Sequence, residues 1–139
     1  MKYTKNGKNI VARLDIDDEI IASLETICRE SNIKSARIHA IGAVKSATIA
    51  MFDFAKGDYN ENSLDRFMEL LSLEGNVTQM NGETYIHLHA VFGDCDGKAF
   101  GGHLKKAVIG ATCEMFIEPL ETTVSRVKEE KTGLNIFDI

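Results

Sequence analysis

The sequence predicts an α+β domain in which one amphipathic helix near the start is followed by a mostly antiparallel sheet. Three observations carry this. Residues 17–31 are the clearest run that places apolar side chains at helical spacing. The remainder is divided into short runs rich in Val, Ile, Thr and Phe, and turn residues rather than further helices join those runs. A parallel doubly wound sheet would need a helix after each strand, so that class is excluded.

Taken in order, the helix has Asp17 as its expected cap, with Asp18 and Glu19 at the positive end of its dipole. Ile20, Ile21, Leu24, Ile27 and Cys28 fall on one side, opposite Ser23, Arg29 and Glu30, so that side faces the core and Cys28 packs within it. Residues 36–44 and 47–54 read as strands separated by Gly42 and Ser46, and residues 56–63 as a polar loop. Residues 67–77 read as a strand whose Leu70, Leu71, Leu73 pattern fits a bulge or burial on both faces. Asn81-Gly82 signals a hairpin, because both turn positions require positive φ. Residues 84–92 leave that turn as a strand. Residues 108–117 and 122–127 complete the set, with β-branched content and Gly110 favouring strand over helix in the first of these. The tail from Glu129 is a docking segment or a frayed end.

Length and composition bound the function. A chain of 139 residues with 44% hydrophobic content is read as one domain spanning 1–139, able to bury a core without staples. Cys28, Cys95 and Cys113 are odd in number and widely spaced, which excludes a disulfide framework. No run approaches the roughly 20 apolar residues of a membrane span, and the start MKYTKNGKNIV lacks the apolar block of a signal peptide. The expected location is cytoplasmic, without processing. With 16 basic against 21 acidic residues the net charge is -5, a poor balance for tight DNA binding. Lys105-Lys106 is the one adjacent basic pair, so a nucleic-acid surface would have to form in the fold or across subunits.

Three of the four histidines, His87, His89 and His103, lie within 17 residues. On a strand His87 and His89 share a face with Tyr85 and Val91, while Ile86, Leu88, Ala90 and Phe92 face an apolar layer. The glycine-rich connection 93–102 would return His103 to the same face, with Gly101 and Gly102 permitting close backbone approach. Three neutral imidazoles suit a metal with an open position: zinc first, with copper, nickel and iron also compatible. The plainer alternative is a polar, solvent-facing strand surface with His103 hydrogen-bonded in a loop. Cys95 is a weaker ligand candidate, since its place between Asp94 and Asp96 suits a turn. His39, alone on an apolar strand, reads as a satisfied core or interface residue. Glu69 and Glu114 interrupt apolar strands and are candidates for moving protons beside a metal; for Glu69 the competing reading is an ion pair with Arg66 or Arg126. The dispersed glycines 93, 97, 101 and 102 do not form a phosphate loop, and Met51, Met68, Met80 and Met115 read as core or interface filler.

Several blocks, in order, resemble the plants-and-prokaryotes-conserved (PPC) domain: Ala40-Ile41-Gly42-Ala43-Val44 after the helix, the run from Phe67 to Val77, His87-Leu88-His89-Ala90, Gly101-Gly102-His103-Leu104 and Thr132-Gly133-Leu134. The resemblance covers nearly the whole chain. It implies a compact α+β fold, assembly into homotrimers, and a metal, usually zinc, at His87, His89 and His103. It also brings a DNA-binding label, which in plant relatives accompanies an AT-hook that this sequence lacks. The fold and ligand pattern are further similar to acetolactate decarboxylase, a zinc lyase. The expected function is therefore a metal-binding PPC-domain protein with a regulatory or DNA-linked role and a small-molecule ligand at the metal. A metal-dependent enzyme acting on a small oxo or hydroxy acid is the alternative, and a structural trimer pinned by the histidines a third.

Overall fold

The computed structural model describes residues 1–139. In chain order its elements are β1 (Lys2–Asn6), β2 (Asn9–Leu14), α1 (Ile20–Ser31), β3 (Ala36–Asp53), β4 (Asp58–Leu64), β5 (Met68–Met80), β6 (Glu83–Gly93), β7 (Ala99–Pro119), β8 (Ser125–Lys128) and β9 (Asn135–Asp138). Apart from one parallel contact between β5 and β8, every strand pairing is antiparallel, as expected.

Two long strands organise the sheet. β3 and β7 pair from Ala36↔Pro119 to Ala50↔His103. β5 pairs with the first part of β3, β6 pairs with β5, and the end of β6 pairs with the start of β7. The four strands thus close into a ring, although residues 83–88 of β6 pair with β5 alone and β1, β4 and β9 remain edge strands. The ring's interior is the core, where Leu73, Leu88, Ala90, Phe92, Leu104, Ile109 and Met115 are all buried. α1 adds Ile20, Leu24, Ile27 and Cys28 to the same cluster, as its apolar face requires.

The helix starts later than the sequence suggests. Asp17 lies outside it in left-handed backbone (φ 75°) and faces Lys45. Glu19 is the cap, its Oε2 accepting from the Ala22 N–H at 2.8 Å while Oε1 accepts from the Ala107 N–H at 3.1 Å. One carboxylate therefore both caps the helix and ties it to β7, a tertiary reason that no local pattern records. The two strands expected over 36–44 and 47–54 are one bent strand, β3, whose register shifts at Ala40/Gly42 and again up to Ser46. Gly42 is needed there: a Cβ would lie 2.3 Å from the Thr112 carbonyl oxygen.

The polar stretch expected as a loop is largely β4, paired with residues 47–53 of β3. Most of its side chains are exposed, so there was no apolar alternation to read. β1 and β2 went unassigned in the sequence, although Ile10, Ala12 and Leu14 are buried at period two. The Asn81-Gly82 hairpin is present, with φ of 53° and 83°, and a register shift between Leu70 and Ser72 leaves Leu71 outside. The tail docks: β9 pairs with β8 from Ser125↔Asp138 to Lys128↔Asn135. No helix is long and apolar enough to cross a membrane.

Candidate metal centre

Alternation on β6 turns Leu88, Ala90 and Phe92 into the core and leaves His87 and His89 on the outer face of the ring. His103 is a residue of β7 itself, directly opposite His89, not the end of a long glycine loop. The turn is shorter than the sequence suggests. Asp94 builds it, with Oδ1 accepting from the Asp96 and Lys98 N–H groups, and Cys95 is exposed within it. Gly101 and Gly102 are strand residues, and both are closely approached: a Cβ would stand 3.2 Å from the Ala90 carbonyl oxygen at Gly101 and 2.8 Å from that of Ala50 at Gly102.

Cross-strand pairing and i, i+2 spacing together bring the three rings into one cluster. One ligand nitrogen from each lies within 4.8 Å of the others. Ring centroids are 5.1 Å apart for His87 and His89, 5.0 Å for His87 and His103, and 5.6 Å for His89 and His103. His87 Nε2 and His89 Nε2 are 3.2 Å apart. Two nitrogens on a tetrahedral zinc with bonds of 2.0–2.1 Å stand about 3.4 Å apart, so the His87–His89 pair is already at ligand spacing.

The electrostatics agree with a ligand role. Burial, then the Arg126 charge and His89, lowers the His87 pKa from 6.5 to about 4. Burial, then His87, Lys105 and His89, does the same for His103, also to about 4. Both rings are therefore neutral near pH 7, with lone pairs free for a cation. The buried Nδ1 of His103 has no hydrogen-bond partner, an orphaned polar atom of the kind that marks a site awaiting a ligand.

The rings line a pocket of about 760 Å³. Its walls are the end of β3 (Met51, Phe52 and Phe54 nearby), Tyr59 of β4, and the β8–β9 hairpin with Arg126, Ile136 and Phe137. Tyr59 leans on His103 with ring centroids 5.0 Å apart. Met51, expected as filler, is exposed at the pocket mouth, whereas Met68 and Met115 are buried as expected.

Arg126, expected only as an ion-pair partner for Glu69, lines this pocket. It is 8% exposed. Its Nε donates to Thr78 Oγ1 at 2.9 Å, Nη1 to the Asn135 carbonyl at 2.6 Å and Nη2 to Asn76 Oδ1 at 2.8 Å, with Nη2 also 3.4 Å from His87 Nδ1. Glu69 does not pair with it; Arg66 pairs instead with Asp94 at 3.8 Å. Glu69, opposite Gly93, and Glu114, opposite Arg13 and Ile41, are both exposed and neither lines the pocket. The carboxylate nearest in register is Glu74, directly opposite His89, but it binds His39 Nδ1 at 2.6 Å. His39 is thus satisfied on the outer sheet face.

A ring-closed, mostly antiparallel sheet carrying one helix and three convergent imidazoles defines an α+β domain with a candidate metal centre. The chain belongs to the Plants and Prokaryotes Conserved (PCC, also written PPC) domain family, whose family model matches residues 1–121. A crystal structure described as that of a candidate DNA-binding protein from Bacteroides thetaiotaomicron is 32% identical, with a TM-score of 0.95 over 99% of this chain and 96% of that one. A metal-containing protein from Archaeoglobus fulgidus is 36% identical, with a TM-score of 0.88 over 99% of both chains. Acetolactate decarboxylase from Bacillus subtilis subspecies spizizenii is similar in fold alone, at 17% identity and a TM-score of 0.62 over 89% of this chain and 56% of that one. Among curated proteins, the bifunctional protein GlmU of a Synechococcus strain is 28% identical over 124 residues, which are 87% of this chain but span only 19% of that protein.

Proposed function

We propose that this protein holds a divalent metal, zinc in the first instance, on His87, His89 and His103, and that the ion offers its open position to a small molecule in the adjoining pocket. The observation that carries this reading is the convergence of three imidazoles within 4.8 Å on a pocket wall. His89 is exposed while the other two are half-buried, which leaves one side of the cluster open. An ion bound there would supply Lewis acidity, and the protein's part is to fix the rings and exclude water on the aromatic side.

We also propose a homotrimer. The outer sheet face shows Ile41, Leu71, Val91 and Phe116, all exposed, as apolar surface for subunit contact. Metal analysis joined to native mass spectrometry tests both parts. The expected result is a trimer with about one ion per chain, lost in His89→Ala; a metal-free monomer overturns the reading.

The enzyme alternative has one observation in its favour, the arginine beside the histidines. Against it, no Asp or Glu lines the pocket to move a proton, so lyase chemistry would need a carboxylate from another subunit. The DNA-binding description of a relative is tested here by titrating random duplex at several salt concentrations. The chain's net charge of -5 leads us to expect no tight binding.

A further inference from the structure

We propose that Arg126 is an anion anchor, and that the ligand of this pocket is a small carboxylate with an apolar or aromatic body. The inference deepens the metal-centre reading and rests on it.

Arg126 is a buried cation with no counter-charge. Each of its three close hydrogen bonds goes to a neutral oxygen: the Thr78 hydroxyl, the Asn135 carbonyl and the Asn76 amide. No Asp or Glu lines the pocket it faces, in a chain that carries 21 acidic residues. Burying a charge without a partner is costly, and a protein that keeps one at a pocket wall leaves an incoming anion to offset that cost. The guanidinium is also held in place, with its carbon 4.8 Å from the Tyr85 ring centroid and 4.7 Å from that of Phe137. A planar fork fixed in this way suits a planar carboxylate.

The rest of the pocket decides what the carboxylate is attached to. Phe52, Phe54, Tyr59 and Ile136 supply apolar and aromatic walls, and a volume of about 760 Å³ suits one small molecule. Arg126 is the only Lys or Arg in the lining, which suits a monoanion better than a phosphate dianion.

The metal and the anchor are linked through His87. In the structure Arg126 Nη2 lies 3.4 Å from His87 Nδ1, where it can donate only if Nδ1 is unprotonated. A neutral imidazole that gives its Nε2 lone pair to a cation carries its proton on Nδ1. That contact is then lost as a hydrogen bond, and an Arg126 N–H becomes available to the ligand. Metal and carboxylate are therefore expected to bind cooperatively, each raising the affinity of the other.

The test is calorimetric titration of the full chain, with and without zinc, using phenylpyruvate and phenylacetone, which share the ketone and aromatic body and differ in the carboxylate. The zinc-loaded protein is expected to prefer phenylpyruvate by about 10- to 100-fold, the range of a charge-assisted hydrogen-bonded pair. Arg126→Met is expected to lower phenylpyruvate affinity in both the zinc-loaded and the metal-free chain while zinc stoichiometry is kept. Because zinc itself can chelate a 2-oxo carboxylate, should Arg126→Met fail to fold the comparison of the two ligands on the metal-free unsubstituted chain decides, equal affinity there overturning the anchor. Equal affinity for both ligands, or no phenylpyruvate binding at millimolar concentration, with zinc still bound, overturns the anchor and leaves the metal centre standing. Absence of zinc binding overturns the metal centre, and a preference for phenylpyruvate that survives without zinc then supports the anchor by itself.

Discussion

The spacing of His87 and His89 depends on a glycine in the neighbouring strand. Gly75 of β5 lies opposite Leu88, the residue between the two histidines. A Cβ added there would stand 2.0 Å from the His87 carbonyl oxygen and 2.9 Å from Leu88 Cα. Both are backbone atoms, so no side-chain rotation relieves the clash. Non-bonded carbon and oxygen approach to about 3.3 Å, so Gly75→Ala must part β5 from β6 by about an ångström. Overpacking of this kind costs about 1–3 kcal/mol, and two ladder hydrogen bonds stretched out of range add about 1 kcal/mol each, for a total of about 3–5 kcal/mol. For a chain of this length that is a fall of roughly 10–20 °C in Tm. Because the displaced carbonyl belongs to His87, zinc affinity should fall as well, since a site loosened by about 1 Å loses much of its preorganisation. Thermal unfolding followed by circular dichroism, with and without zinc, measures both effects. A Gly75→Ala protein that melts within roughly 3 °C of the parent and binds zinc equally well would refute the claim that this close strand approach sets the ligand geometry.

Three further outcomes follow from the structure. Metal-free protein should lose stability as pH falls from 6.5 towards 4: His87 and His103 have folded values of about 4, so in that window the unfolded chain takes up protons that the folded chain refuses. Melting at pH 7.5 and at 5 checks this, and a His103→Gln variant should show a shallower loss over the same interval. Leu24→Ala, at a helix position with 0% exposure that anchors α1 to the ring, should cost about 2–5 kcal/mol in denaturant unfolding without changing zinc stoichiometry. Hydrogen exchange should show the β8–β9 amides opening well before those of β3 and β7, since only one ladder pair, Gln79↔Ser125, joins the hairpin to β5 and its other ties run mostly through side chains such as Arg126; zinc with phenylpyruvate should slow that opening.

Much of the ring was legible because burial leaves a period. Leu88, Ala90 and Phe92 alternate with His87, His89 and Val91, so both the strand and the facing of the histidines could be read from residues 84–92. The Asn81-Gly82 turn was legible for a different reason, since positive φ at two consecutive positions restricts residue choice. β4 was not legible, because its mostly exposed side chains carry no apolar alternation. The helix start was misplaced because Glu19 is chosen by two partners at once, Ala22 and the distant Ala107, and only the first is local.

The candidate site divides along the same line. His87 and His89 are two residues apart and His103 lies in the next strand, so the ligand set falls within one hairpin whose geometry follows from pairing alone. Arg126 reaches the same pocket from β8, beyond the matched residues 1–121, and is placed there by Thr78, Asn76 and Asn135. Nothing in Ser125–Lys128 marks its arginine as different from any exposed basic residue on a short strand. What distinguishes it is burial without a carboxylate, a property of the assembled surroundings. The division has a functional consequence: the ring fixes where a cation sits, while a hairpin tied on largely through side chains fixes what lies beside it. Changes to residues 122–138 can therefore alter the ligand accepted without disturbing the imidazoles, provided the guanidinium keeps its three oxygen partners.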